Sequence, residues 1–136
     1  MSLEKKESLG TVKVSKTIFA SVVIGAAGKT TAKVIFASKT GRILGGLSKR
    51  VSPADLLANM DFEEQPDAYI LTFYVVLNFG DSIGETSRQM LDYIEKELKA
   101  LFPGKALKVT FKLVGIKSKK FAKRDVEIVR EYEPAR

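Results

Sequence analysis

The sequence predicts a two-layer α+β sandwich: a small mixed or antiparallel sheet of about four to five strands, with two main helices on one face. Three stretches predict it. Residues 69–79 alternate with period two, residues 83–101 repeat apolar side chains at helical spacing, and residues 107–113 alternate again with one cationic face. The 136 residues, 45% hydrophobic and 29% charged, match one ordinary globular domain. A chain of this length buries about two-thirds of its unfolded surface, so it folds without disulfide or metal staples. The reading divides it into a disordered segment 1–9, an α+β domain 10–116, and a basic then acidic stretch 117–136 that is either a tail or an added strand.

Taken in order, Gly10-Thr11-Val12-Lys13-Val14 alternates as a short strand, and Ser15 stands where a helix cap belongs. Ile18, Phe19, Val22, Val23 and Ala26 then fall on one face of a helix that Gly28 stops. β-branching at Ile18, Val22, Val23 and Ile24 keeps a strand open as the alternative. Residues 30–37 favour a strand. The following stretch from Ser38 to Arg50 holds three glycines, four bases and no acid, and reads as a mobile basic loop. Ser52-Pro53-Ala54-Asp55 supplies a cap, a proline at the first helical position and an acid at the third, which predicts a short helix to Asn59. Gln65-Pro66-Asp67 is a turn.

In the strand that follows, Tyr69, Leu71, Phe73, Val75, Leu77 and Phe79 make one apolar face, while Ile70, Tyr74 and Val76 lie opposite. Apolar on both sides, it is expected at the centre of the sheet. Gly80 breaks it, and Asp81 or Ser82 caps a helix that buries Ile83, Ser87, Met90, Leu91, Ile94, Leu98 and Leu101. Asp92/Lys96 and Glu95/Lys99 stand four apart on its outer side. Pro103-Gly104 ends it. Leu107, Val109, Phe111 and Leu113 then face the core, with Lys108, Thr110 and Lys112 in water.

Composition excludes several chemistries. The chain has no Cys and no His, which removes disulfides, thiolate nucleophiles, Cys-based metal sites and the commonest general base. Its net charge of +7 is unevenly spread: residues 1–50 carry ten bases and two acids, residues 51–104 three and ten, residues 105–136 ten and four. The two ends thus make a basic surface beside an acidic middle. The candidate contacts for an anion or a nucleic acid are Lys39, Arg42, Lys49 and Arg50 in the loop, with Lys117, Lys119, Lys120, Lys123 and Arg124 around Phe121. Clustered solvated charge is the plain alternative. The loop has no aromatic residue and no Gly-x-x-Gly clamp.

Gly28-Lys29-Thr30 invites a phosphate-binding loop, but the required glycine five residues before Gly28 is Val23, so Gly28 reads as a helix stop. Asp61, Glu63, Glu64 and Asp67 invite a cation, but lack the spacing of a calcium loop and read as a solvated hairpin. No stretch reaches the roughly 18 apolar residues of a membrane span, and residues 1–10 do not open a signal peptide, so a cytoplasmic protein is expected.

Four strings, Gly10-Thr11-Val12-Lys13-Val14-Ser15, Tyr74-Val75-Val76-Leu77-Asn78-Phe79-Gly80, Ile83-Gly84-Glu85-Thr86-Ser87-Arg88 and Leu113-Val114-Gly115-Ile116, resemble in order and spacing the bacterial alkaline shock and general stress protein family. The chain departs from that pattern in its more basic loop and in the helix at Pro53. The resemblance implies a non-enzymatic cytoplasmic protein of cell-envelope stress, in some members held at the membrane by a protein anchor, with no catalytic, cofactor or metal residues. The expectation is therefore a binding or scaffold module with protein partners and self-association, without direct membrane insertion. An exposed sheet face near Tyr74 and Val76 is the candidate self-association surface. The alternative is a nucleic-acid-associated protein that uses residues 38–50 and 117–124.

Overall fold

The computed structural model describes residues 16–45, 50–118 and 121–134. The expected strand at residues 10–14 and the bases Lys49, Lys119 and Lys120 lie outside the described residues. Three helices and five strands follow the order α1 (Thr17–Ala27), β1 (Ile35–Ala37), α2 (Pro53–Ala58), β2 (Asp61–Gln65), β3 (Ala68–Asn78), α3 (Ile83–Leu101), β4 (Ala106–Lys117) and β5 (Phe121–Tyr132). The sheet is mixed. β3 pairs in parallel with β4, and β4 pairs with β5 in antiparallel fashion; β1 and β2 both pair antiparallel with β3. The parallel step is bridged by α3, as a crossover of this kind requires.

The helices lie on one face of the sheet, which makes this an α+β sandwich. Phe19 and Val23 of α1 and Met90, Leu91, Ile94 and Leu98 of α3 pack on Leu71, Phe73, Val75 and Leu77 of β3 and Val109, Phe111 and Leu113 of β4. At one end Phe19 joins an aromatic cluster, its ring centroid 4.7 Å from Phe62, 4.9 Å from Tyr69 and 5.2 Å from Phe102. α1 is a helix although its β-branched residues also suit a strand, because its buried side chains are spaced for one helical face on this core. Ser52 and Ser82 cap α2 and α3 by accepting from the backbone N–H of Asp55 and Glu85.

Several expectations are corrected. Phe79 does not continue the apolar face of β3; it stands beyond the strand end, 79% exposed. Leu101, in the last turn of α3, is half exposed. Glu95 pairs with Lys99 at 3.3 Å, but Asp92 pairs with Arg88 and with Arg130 of β5 instead of Lys96. The segment after Ala37 is not an open loop at its start. Ser38 and Arg42 close a turn, with the Arg42 N–H donating to Ser38 Oγ at 3.0 Å, and Leu44 N–H returns to Phe36 O at 3.0 Å. Gly41 makes the turn at φ 93°, where a side chain would be strained. The stretch after Lys117, expected as tail or added strand, provides β5.

The sheet face away from the helices also differs from expectation. Tyr74 and Val76 are 4% and 0% exposed, and with Ala37 and Val114 they form a second small apolar cluster. Tyr74 and Val76 themselves therefore offer no exposed apolar surface.

Candidate functional site

The residues that alternate away from the core leave a broad polar platform on the open face of the sheet. Register assembles it in rows across four strands. Glu63, Ile70, Lys108 and Glu131 form one row; Asp61, Thr72, Thr110 and Val129 the next; Tyr74, Lys112 and Glu127 a third. Val129 is 43% exposed and Lys108 is exposed, so the platform offers both apolar and charged contact. No helix among the described residues covers these rows.

Within the platform lies a groove where Lys39, from the turn after β1, meets Lys123 and Arg124 of β5. Two basic segments more than 80 residues apart in sequence are thus brought to one place. The groove is not purely cationic. Asp61, Asp125 and Glu127 also line it, and Lys112 lies 3.1 Å from Asp125 and 3.7 Å from Glu127. The hydrogen bond to Asp125, above all, holds Lys112 above the ordinary lysine value. The expected cationic face of β4 is thus locally neutralised. The Tyr74 hydroxyl donates to Asp61, which anchors β2 against β3 beside the groove.

The other expected cations are placed elsewhere. Arg42 is exposed, with its guanidinium 3.5 Å from Asn59 Oδ1. Arg50 and Lys117 line a separate recess beside β1. Gly28 ends α1, and the Thr30 hydroxyl lies 2.9 Å from Ala27 O and 2.6 Å from Ala32 O, engaged within the turn. Glu63 accepts from Gln65, and among the described residues no group of three or more acids is placed to hold a metal ion.

Sequence reasoning missed Asp125 and Glu127 as part of the site. Their place opposite Lys112 depends on the β4–β5 register, which shifts by a bulge between Leu113 and Gly115. The alternation of acid and apolar residue over Asp125, Val126, Glu127 and Ile128 was the available signal.

No protein-family model, curated protein or solved structure matches this chain. Among the described residues no helix is long and apolar enough to cross a membrane.

Burial raises the Tyr74 hydroxyl well above its ordinary value, with the Asp61 hydrogen bond and charge adding to it; burial likewise raises Tyr132. A folded-state value above the unfolded one means that the native protein holds these protons longer as pH rises. Stability contributed this way is complete below about pH 10 and falls as pH climbs from there toward the folded values. The expected loss is at most about 1.4 kcal/mol per pH unit for each tyrosine. Urea titrations from pH 8 to 11 should show that decline, and Tyr74→Phe/Tyr132→Phe should flatten it; an unchanged slope in the double variant contradicts this origin.

Proposed function

We propose that the chain is a non-enzymatic binding module that docks a protein partner on the open face of its sheet. The observation that carries this reading is the platform itself: β2, β3, β4 and β5 present an open face on which acids and bases interleave around Ile70, Thr72 and Val129. A protein surface offers the matching mixture of charge and apolar contact. A phosphate backbone does not, because Asp61, Asp125 and Glu127 would repel it at the groove where Lys39, Lys123 and Arg124 meet.

The setting we propose is the bacterial cell-envelope stress response, on the strength of the four strings. Three of them fall on described residues, at one end of the fold. Residues 74–80 and 113–116 lie side by side on the parallel strands, where Leu77 pairs with Ile116, and residues 83–88 open α3 directly beyond the turn. Their shared place fits a common framework. Recruitment to a membrane-anchored protein belongs to the same proposal.

The convergence of Lys39, Lys123 and Arg124 favours the second reading, nucleic-acid association, and the same experiment separates the two. A photo-crosslinking residue is placed at Thr72, on the platform, or at Lys96, on the outer side of α3, in host cells. We expect a discrete protein adduct from position 72, absent from position 96 and resistant to nuclease. Adducts that vanish with nuclease support the second reading, and equal labelling from both positions contradicts the platform as the docking face.

A further inference from the structure

Beside the β1 edge of the sheet lies a cavity of about 400 Å³, distinct from the platform. Its walls come from four places in the chain: Ile24 in α1, Val34 and Phe36 around β1, Leu44 after the turn, and Val51 before α2. Among the described residues, the charged side chains that line it are Lys33, Arg50 and Lys117, all three exposed and all cationic. Among the described residues that line it there is no acid and no neutral hydrogen-bonding side chain. This separates it sharply from the groove on the open face, where acids stand among the bases.

We propose that this cavity binds a single-chain amphiphilic anion, a fatty carboxylate, with its tail in the apolar recess and its head among the three cations. Each part of the ligand follows from the lining. A tail bearing hydroxyl or amide groups would leave them without partners against Ile24, Phe36 and Leu44, which disfavours sugars and nucleosides. The volume stands near the lower end of small-molecule pockets, about 300–1,000 Å³, and so suits one short chain over a two-chain lipid. Lys33 and Lys117, both exposed and with no acid among the described residues that line the cavity, select the sign of the head group. Their individual contributions are small in water, so affinity is carried mainly by the buried tail. The inference reassigns Arg50 and Lys117 from a nucleic-acid surface to the mouth of this cavity. It does not depend on the partner docking at the platform.

The test uses the full chain with labelled methyl groups, followed by NMR during titration with hexanoate, octanoate and decanoate below their aggregation concentrations. The expected result is saturable one-to-one binding that moves the methyl signals of Ile24, Val34, Leu44 and Val51. Affinity should rise about fourfold for each methylene that enters the recess. Decyltrimethylammonium, with the same tail and the opposite charge, should bind at least tenfold more weakly than decanoate. Lys33→Gln/Lys117→Gln should erase most of that preference while leaving the tail contact, and Ile24→Trp, which fills the recess, should abolish binding. Should Ile24→Trp fail to fold, the surface double variant still decides. Equal affinity for the cationic and anionic chains in the unaltered protein overturns the proposal. So does the absence of saturable shifts with every carboxylate, including the case in which only phosphatidylglycerol vesicles bind.

Discussion

Phe19→Ala is expected to destabilise the protein by about 3–5 kcal/mol, a large part of the total stability of a domain this size. Phe19 is fully buried where α1 meets the sheet, with the rings of Phe62, Tyr69 and Phe102 around it. Truncation removes the buried area of one ring, and three further aromatic contacts lose their partner. Cβ cannot refill that space, since its neighbours are fixed on α1, β2, β3 and the end of α3. The midpoint of thermal unfolding should fall by roughly 10–20 °C. Phe79→Ala provides the control, because that ring is 79% exposed and its loss should stay within about 0.5 kcal/mol. Similar losses from the two substitutions would contradict the core described above.

The second large effect is functional. Lys39→Glu/Lys123→Glu/Arg124→Glu is expected to lower the yield of the partner adduct at position 72 by tenfold or more while leaving folding intact. All three side chains are exposed, and they line the groove where the two basic segments meet. Reversal puts three acids beside Asp61, Asp125 and Glu127, so a partner that contacts this groove encounters six acids and Lys112 alone of the lining bases. Like-charge juxtaposition of this kind costs several kcal/mol at an interface, whereas exposed charges contribute little to the fold. Quantitative crosslinking, with circular dichroism as the folding control, measures both. An adduct yield unchanged by the triple reversal would remove the groove from the proposed interface.

Much of the fold was legible because local pattern and tertiary role agree. The two-sided apolar run of β3 places it between β1 and β2 on one side and β4 on the other. The Ser52-Pro53 pair sets the start of α2 through a single hydrogen bond, and Gly80 with Ser82 sets the step from β3 to α3. Features that depend on what lies across the sheet were less legible. The strand periodicity of Tyr74 and Val76 gives their face but not their cover, and both are buried. Similarly, Lys112 alternates as a solvated cation, and only the register of β5 reveals the two acids beside it. Phe79 extends the alternation of β3 in sequence, yet the chain turns at Gly80 with φ 95° and carries the ring out into solvent.

The candidate site was legible in its ingredients and not in its arrangement. Composition pointed to cations near Lys39 and near Lys123, but their meeting at one groove requires the turn at Gly41 and the long β4–β5 hairpin. The cavity by β1 left no periodic signature, since its walls come from an α-helix, a three-residue strand and two connecting segments.

The central claim is that the open sheet face, and not the helical layer, is the working surface. Carboxylate footprinting tests it most directly, because acids stand on both sides of the molecule. Glu63, Glu127 and Glu131 share the platform rows, while Glu85 and Asp92 lie on the exposed side of α3. The purified chain and the chain in nuclease-treated host extract are labelled in parallel, and modification is read residue by residue. The account predicts protection of Glu63, Glu127 and Glu131 in extract with Glu85 and Asp92 unchanged; protection confined to α3, or none that survives nuclease, would contradict it.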